Sequence, residues 1–349
     1  MIEVRTFDGD APEASWFLNR VWQSTYGRTT PLPVWDTRFC DWRLFRGGQA
    51  PRDYLLAAYE GRTLVGTLFA EPARIRLGRV EVDGSHGLRA TVAHSHRGQG
   101  IGGRLAQELL RRHQDRAARI ALGCTTGELR PRGFWQRTWN TRLFRGLGLW
   151  MYAFDAQAMA RWSFTPHERK LFSLARPFLR HRFREADPRD IRRYRPTDLD
   201  RCMTLVQQML RPVTLGCAYT AGQLAHQLQY RDVPRTFVLE QDGVVRGLVS
   251  SHSVLMTGTG EITTEVVDLV AFEDSVSATD RQRLLQVAMQ DMEQRGVACA
   301  GMLRGPGLPT SLLLRAGWVP LPRRAKVTCL LPTSDMELPA APRVFTHLH

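Results

Sequence analysis

The sequence is poor in cysteine and lysine and contains no long apolar run. Six cysteines are scattered over 349 residues without a CxxC pair, and the ten histidines show no zinc-ligand spacing. Neither a disulfide framework nor a metal site is therefore expected. No apolar run of about 18 residues occurs, so we expect no transmembrane segment. The first residues, MIEVRTFDGD, do not resemble a secretory signal, and we expect a reduced, cytoplasmic protein.

Arginine supplies nearly all of the positive charge. Lysine occurs only at Lys170 and Lys326, while the formal net charge is +14. A GC-rich genome explains the choice of arginine, and the charge itself favours anionic partners such as a phosphate-bearing ligand. No motif for sequence-specific recognition of nucleic acid is visible, so we expect no specific nucleic-acid partner.

A glycine-rich turn joins a short apolar strand to an amphipathic helix. Residues Leu88 to Ala93, LRATVA, predict a buried strand. The turn Arg97 to Gly103, RGQGIGG, follows directly. Apolar residues then recur at helical spacing, at Ile101, Leu105, Leu109 and Leu110. The sequence therefore predicts a strand that passes through a glycine loop into the first turn of a helix.

The start of such a helix is suited to phosphate. Its first N–H groups have no partner inside the helix and carry the positive end of the helix dipole. Glycine lets the backbone approach a ligand closely, and Arg104 and the pair Arg111–Arg112 add positive charge. The loop does not fit GxGxxG, because Leu105 stands at the third glycine, and no lysine is present for a Walker loop.

The pattern that fits is Arg-x-x-Gly-x-Gly, at Arg97, Gly100 and Gly102. It resembles motif A of the GNAT acetyltransferase superfamily, the loop that binds the pyrophosphate of acetyl-coenzyme A. The resemblance implies acetyl-CoA as co-substrate, backbone N–H groups on its pyrophosphate, and a strand paired with its pantetheine. The implied cofactor-binding residues are Ala90, Thr91, Val92, Arg97, Gly98, Gln99, Gly100, Ile101, Gly102 and Gly103.

The length and the order of predicted elements indicate two domains. Strands, helices and the glycine loop fill residues 1–155, and residues 156–190 form a basic connector with some helix. A second set of elements fills residues 191–335, and residues 336–349 form a tail. The predicted fold class is α/β with a mixed, α+β sheet, in two tandem GNAT-like domains of which the second is degenerate.

Four segments give more specific structural expectations. Arg74–Val82 is expected to be one continuous strand, and Thr197 to cap a helix that ends near Leu210. Pro131–Trp139 is expected to be a short helix. The aromatic segment Leu32–Arg46 either walls an acceptor pocket or forms part of the core. Its aromatic residues are Trp35, Phe39, Trp42 and Phe45.

A hairpin pattern occurs twice in the chain. YEGRTLVGTL at Tyr59–Leu68 is matched by QDGVVRGLV at Gln241–Val249, about 181 residues later. The second copy differs at Glu273–Ser277, EDSVS, which is acidic and lacks glycine. Because carboxylates there would repel a pyrophosphate, we expect the second domain to have lost coenzyme binding.

An active first copy with a degenerate second copy resembles the Eis-type aminoglycoside acetyltransferases. Mycothiol synthase is another tandem relative, in which the second copy is the catalytically active one. Only motif A matches in sequence, and the chain is too short for the third, sterol-carrier-like domain of Eis-type proteins. The resemblance implies acyl transfer to an amine, whose free lone pair must attack the thioester. A backbone N–H of the strand near Val92 would stabilise the oxyanion.

The side chains that usually move protons in GNAT enzymes are missing from the matching positions. Phe134-Trp135 stands where a Phe-Tyr pair is common, and indole is no acid at neutral pH. Leu88 and Arg89 occupy the region of the usual glutamate.

Three alternatives for proton transfer stay open in place of the missing acid and base. Water relays the proton, or a polar residue near the loop substitutes, or the C-terminal carboxylate of His349 folds back as in Eis-type enzymes. In the last case Val344-Phe345 would anchor the tail. The polar candidates near the loop are Glu128, His86 and His94.

The sequence thus predicts an acetyl-CoA-dependent N-acetyltransferase that acts on a primary amine of a small molecule. Longer acyl donors and protein lysine acceptors are alternatives. The missing acid and base favour a catalytically silent CoA-binding or scaffold protein, and the basic connector favours a scaffold on nucleic acid or anionic membrane. The acceptor and a homo-oligomeric state are left open.

Overall fold

The computed structural model describes residues 1–27, 30–48, 51–125, 135, 139–179, 187–333, 338–339 and 342–347. The strands are β1 (Ile2–Thr6), β2 (Leu32–Val34), β3 (Leu55–Glu60), β4 (Thr63–Leu77), β5 (Val80–Val92), β6 (Ile120–Thr125), β7 (Asn140–Ala153), β8 (Ile191–Arg193), β9 (Leu215–Ala218), β10 (Pro234–Gln241), β11 (Val244–Thr257), β12 (Glu261–Phe272), β13 (Cys299–Leu303), β14 (Val319–Leu331) and β15 (Val344–Phe345). The α-helices are α1 (Ala11–Tyr26), α2 (Thr37–Cys40), α3 (Ile101–Asp115), α4 (Ala156–Trp162), α5 (Pro166–Leu179), α6 (Leu199–Leu210), α7 (Ala221–Leu228), α8 (Ala278–Gln294) and α9 (Thr310–Arg315).

These strands form one mixed sheet, which confirms the predicted α/β class. The order along its main path is β1-β3-β4-β5-β6-β14-β7-β13-β12-β11-β10-β8. Strands β3, β4 and β5 are antiparallel neighbours, whereas β5 and β6 are parallel. A parallel pair needs a crossover connection, and α3 supplies it.

The predicted strand, loop and helix are present in the first half. Ile101, Leu105 and Leu109 recur on one face of α3 and are almost fully buried. They pack on the sheet beside Leu56 and Leu68. Burial of this apolar stripe holds the start of α3 against the end of β5.

The second half repeats this arrangement. Strands β10, β11 and β12 are antiparallel, and α8 connects β12 to its parallel neighbour β13. Leu284, Leu285 and Met289 bury the inner face of α8. The strand pattern therefore recurs as the sequence suggested, while the boundaries at residues 155, 190 and 335 stay a prediction.

The last strands of the two halves are exchanged. Strand β7 of the first half pairs with β13, and β14 of the second half pairs with β6. The two exchanged strands also pair with each other. One apolar cluster consequently contains Ile120 and Leu122 together with Leu248 and Leu269. The halves share a core that neither completes alone.

The expectation of a continuous strand over Arg74–Val82 is wrong. Strand β4 ends at Leu77 and β5 begins at Val80, so the segment is a tight hairpin. Gly78 supplies the turn with a φ of +63°. The residues around this glycine alternate in polarity as they would in one strand, and this alternation hides the turn.

The expected helix cap at Thr197 is also wrong. Thr197 lies in a 3₁₀ turn, Pro196–Asp198, and α6 begins only at Leu199. The Asp198 carboxylate instead accepts hydrogen bonds from Arg192 at 2.7 and 2.9 Å. This ion pair fixes the turn that leads into the helix.

The aromatic segment Leu32–Arg46 forms core. Its four aromatic side chains are at most 7% exposed and pack with Phe7 and Phe69. The expected helix Pro131–Trp139 lies outside the described residues except for Trp135 and Trp139.

The basic connector contains α4 and α5, which agrees with the helix expected there. Among the residues that the structure describes, no helix has both the length and the apolarity to cross a membrane.

The C-terminal tail returns to β9, which pairs with the end of β4. Strand β15 pairs in parallel with β9, and a Cβ on Gly216 would lie 2.1 Å from the carbonyl oxygen of Phe345. Phe345, Thr346 and His347 are each at most 4% exposed. Val344-Phe345 thus anchors the tail, as expected, while His349 lies outside the described residues.

Candidate active site

The loop after β5 is exposed and has an unusual backbone. Gly98 and Gly100 have φ values of +80° and +75°, in the left-handed region that favours glycine. A Cβ at either position would meet no heavy atom within 4 Å. The surroundings therefore leave space for a ligand directly against the main chain.

The backbone amides of this loop are available as hydrogen-bond donors. Within the described part of the chain, the N–H groups from Gly98 to Gly103 donate no hydrogen bond to the protein. The next amide, that of Arg104, donates to the carbonyl oxygen of Gly100 at 3.1 Å. Since the free donors lie at the positive end of α3, the loop suits an anion with several oxygen acceptors.

Two arginines brace the loop from its sides. Arg97 donates from Nε to the carbonyl oxygen of Val92 at 3.1 Å and from Nη2 to Thr25 Oγ1 at 2.7 Å. Arg104 donates to the carbonyl oxygen of Ile2 at 2.8 Å. Both side chains remain exposed, so they hold the loop in place while adding positive charge beside it.

The other two arginines of α3 contribute less charge than the sequence suggested. Arg111 and Arg112 each lie 2.8 Å from a carboxylate oxygen of Glu108. The hydrogen bond from Arg111 is the largest cause of the lowered pKa of Glu108, which falls to about 2. The ionised carboxylate offsets part of the positive charge at this end of the helix.

Strands β5 and β6 separate beside the loop. They pair only from Gly84 opposite Ile120 to His86 opposite Leu122. A β-bulge follows, in which Gly87 and Leu88 of β5 lie opposite a single residue of β4. Residues 89–92 continue to pair with β4 but not with β6. In the described ranges this leaves a wedge between the two strands.

The strand residues expected to bind pantetheine border this wedge. Ala90 is exposed, and Thr91 is buried with its hydroxyl accepting a hydrogen bond from Trp22 Nε1 at 2.8 Å. Val92 receives the bond from Arg97 described above. The outer end of β5 is therefore fixed by two side chains and can present its backbone to an extended ligand.

The sequence-predicted catalytic residues fall in different places. His86 is buried, with Nε2 2.8 Å from Thr346 Oγ1. Burial, followed by the nearby His347, lowers the pKa of His86 to about 3, so the ring is neutral. His94 is exposed in the turn after β5. Glu128 and His349 lie outside the described residues.

A buried ion-pair cluster lies beside the bulge, and sequence reasoning missed it. Glu71 of β4 is 2.9 Å from Arg43 and 3.2 Å from Arg89. Burial alone would raise the pKa of Glu71, but the two arginines hold it below the ordinary carboxyl value. Arg89 also stacks over the ring of Trp35, 4.4 Å from its centroid. The region of Leu88 and Arg89, where the resemblance implies a glutamate, thus lies at a cluster of one carboxylate and two arginines.

The cluster continues into the second half. Arg43 donates to Gln227 Oε1 at 2.7 Å, and Gln227 donates to Asp268 Oδ2 at 3.1 Å. His252 Nδ1 donates to the same oxygen at 2.7 Å. His347 of the tail lies on the other side of Asp268, with Nδ1 3.8 Å from Oδ1. One buried polar network therefore crosses from β4 to the C-terminal tail.

The second-half counterpart of the glycine loop is closed by its own side chains. Glu273 is 2.6 Å from Arg201 and 3.3 Å from Arg246. Arg281 donates to the carbonyl oxygens of Glu273 and Asp274. These contacts engage the Glu273 carboxylate and two carbonyl oxygens of the loop, and the loss of coenzyme binding there stays a prediction.

Comparison with known proteins agrees with this geometry. Residues 16–139 match the model of the Acetyltransferase (GNAT) family. No curated protein sequence matches the chain.

Similar solved structures include Saccharomyces cerevisiae N-myristoyltransferase with bound myristoyl-CoA and inhibitors, at 14% identity and a TM-score of 0.76, over 99% of this chain and 82% of the other. A GCN5-related N-acetyltransferase from Anabaena variabilis has 9% identity and a TM-score of 0.56, over 94% and 72%. One from Kribbella flavida has 15% identity and a TM-score of 0.53, over 95% and 72%. At these identities the likeness concerns the fold.

Proposed function

Because residues 16–139 match the model of the Acetyltransferase (GNAT) family, we propose that the protein transfers acetyl from acetyl-CoA to a primary amine of a small molecule. The observation that carries this proposal is the row of unbonded amides from Gly98 to Gly103, at a helix start beside an open wedge. A diphosphate binds at the amides, and the pantetheine arm extends along Ala90 to Val92 toward the bulge.

The reaction needs an unprotonated amine and a hydrogen-bond donor that stabilises the oxyanion. The amine loses a proton, its lone pair attacks the thioester carbonyl, and the C–S bond then breaks. A backbone N–H of β5 near Val92 stabilises the oxyanion. The thiolate takes a proton as it leaves, either from water or from the amine nitrogen.

The buried tail supports a role for the C-terminus in proton transfer. Thr346 contacts His86, and Gly84–His86 is the paired stretch that ends where the wedge begins. This brings Thr346 toward the acyl group, and the carboxylate of His349 stays a candidate base. His86 itself is a weak base because of its low pKa, and Glu128 remains a candidate.

A longer acyl donor is the second candidate. The solved N-myristoyltransferase binds myristoyl-CoA, and its fold extends over nearly the whole of this chain. Acyl length is therefore tested together with activity, by offering acetyl-CoA and myristoyl-CoA to the same preparation.

The decisive experiment is calorimetric titration of the full chain with acetyl-CoA, myristoyl-CoA and free CoA, followed by thiol release with a panel of primary amines. Binding of an acyl-CoA with amine-dependent thiol release supports the proposal. Binding without thiol release from any amine indicates the catalytically silent alternative. Absence of binding at hundreds of micromolar ends both.

A further inference from the structure

The wedge between β5 and β6 ends in a closed apex. The last residues that pair across the two strands are Ser85 opposite Ala121 and His86 opposite Leu122. All four are at most 3% exposed. In the proposed function the pantetheine arm extends along β5 toward the bulge, so the acyl group that it carries faces this apex. The side chains that close the apex therefore limit the length of the acyl group.

On one face of the sheet, a histidine of α3 closes the apex. Burial lowers the pKa of His113 to about 4, so its ring is neutral. Nδ1 donates to the carbonyl oxygen of Leu109 at 2.9 Å, and Nε2 therefore accepts from the hydroxyl of Ser85 at 3.0 Å. The ring stacks on Tyr54 and makes a T-shaped contact with Trp139, at centroid distances of 4.5 and 5.2 Å. An alkyl chain on this face would have to displace an aromatic ring or break a buried hydrogen bond.

On the opposite face, the C-terminal tail closes the apex. His86 follows Ser85 in the strand, so its side chain points to the other side of the sheet. Its Nε2 lies 2.8 Å from Oγ1 of Thr346, and its ring makes a T-shaped contact with His347 at 5.8 Å. Thr346 is 3% exposed, and the pairing of β15 with β9 holds this part of the tail in place. A residue from the end of the chain thus lies at the end of the acyl path.

The buried ion-pair cluster occupies the same face beside the bulge. A Cβ on Gly87 would lie 3.1 Å from Nη1 of Arg89, so the guanidinium packs directly against the bulge. Arg89 is 3.2 Å from Glu71, which is 2.9 Å from Arg43. An alkyl chain that turned aside here would separate buried charges from their partners, which is strongly unfavourable.

A small cavity lies behind the tail. Its volume is about 20 Å³, and most of its lining residues are apolar, among them Met209, Val267 and Met302. Thr346 also lines this cavity. Since Thr346 contacts His86 as well, it separates the apex of the wedge from the cavity.

We infer that Thr346 sets the length limit of the acyl donor, an assignment that rests on the proposed function. An acetyl group fits at the bulge, whereas a longer chain reaches the pair formed by His86 and Thr346. To pass, the chain must break a buried hydrogen bond and displace the tail. The donors are therefore CoA thioesters of short acyl groups such as acetyl and propionyl.

The test is calorimetric titration of the full chain with acetyl-CoA and with butyryl-CoA. The ratio of the butyryl-CoA Kd to the acetyl-CoA Kd cancels any general effect of a variant on CoA binding. We expect a ratio of about ten or more for the wild-type protein, which corresponds to the loss of one buried hydrogen bond. Equal Kd values for the two donors would overturn the inference.

Thr346→Gly should lower this ratio about tenfold or more. The variant has no hydrogen bond to break, and the volume of the removed side chain adds to the cavity, where each buried methylene lowers Kd about fourfold. Thr346→Ser keeps the hydroxyl that contacts His86 and should keep the ratio close to the wild-type value. Thr236→Gly is the matched control, because Thr236 is also 3% exposed but lies in β10, and its ratio should not change.

An unchanged ratio in Thr346→Gly would also overturn the inference. If that variant does not fold, the ratio for the wild-type protein decides. Failure of acetyl-CoA to bind the wild-type protein would instead refute the proposed function.

Discussion

Replacing Gly100 with alanine should weaken acyl-CoA binding far more than it weakens the fold. Gly100 has a φ of +75°, where a Cβ costs about 1 kcal/mol. No heavy atom lies within 4 Å of that Cβ, so no steric cost is added. In a chain of this size the melting temperature should fall by only about 2 °C.

The effect on binding is larger because the loop backbone is the ligand site. Relief of the strain turns the peptide planes beside Gly100, which misdirects at least one amide. A hydrogen bond to a charged acceptor contributes about 1.5–3 kcal/mol, so Kd should rise about 10- to 100-fold. Calorimetric titration with acetyl-CoA or myristoyl-CoA measures this.

Gly243 provides a matched control. Its φ is +73°, it is exposed in the β10–β11 turn, and its Cβ would also meet nothing within 4 Å. Gly243→Ala should cost the same stability and leave Kd unchanged. Equal Kd values for Gly100→Ala and wild type would refute the role given to the loop amides.

Three further predictions concern the fold. Separate fragments 1–155 and 191–349 should each be largely unfolded by circular dichroism and should gain structure on mixing, because β7 and β14 are exchanged; a folded 1–155 fragment would contradict this. Glu71→Gln leaves two buried arginines without a carboxylate and should cost about 3 kcal/mol in urea unfolding, and a loss under about 1 kcal/mol would count against the ion-pair cluster. Burial is the main reason that the pKa values of His86 and His113 fall to about 3 and about 4, so the unfolded chain binds these protons first. The urea midpoint should therefore drop as the pH is lowered from about 7 to about 4, and a constant midpoint would contradict the burial of neutral histidines.

The glycine loop is predictable from one sequence because the features that define it are local. Glycine at positions 98 and 100 permits the positive φ values, and the spacing of Ile101 and Leu105 marks the start of the helix. The hairpin repeat was visible for the same reason. A turn such as Gly78, set inside an alternating run, has no comparable signal.

The buried network is not predictable in this way. Arg43, Glu71, Gln227, Asp268 and His347 lie far apart in the sequence, and each alone has the character of a solvated polar residue. Only the fold brings them together. The exchange of β7 and β14 is equally hidden, since alternation shows that a strand is half buried but not which strand it pairs with.

The central claim is that the amides from Gly98 to Gly103 hold the diphosphate of an acyl-CoA. The most direct measurement follows the backbone amide signals of ¹⁵N-glycine-labelled protein during titration with CoA and, separately, with pantetheine. The account predicts that CoA shifts the signals of Gly98, Gly100, Gly102 and Gly103 and that pantetheine, which lacks the diphosphate, does not. Saturable CoA binding that leaves these four signals in place would contradict it.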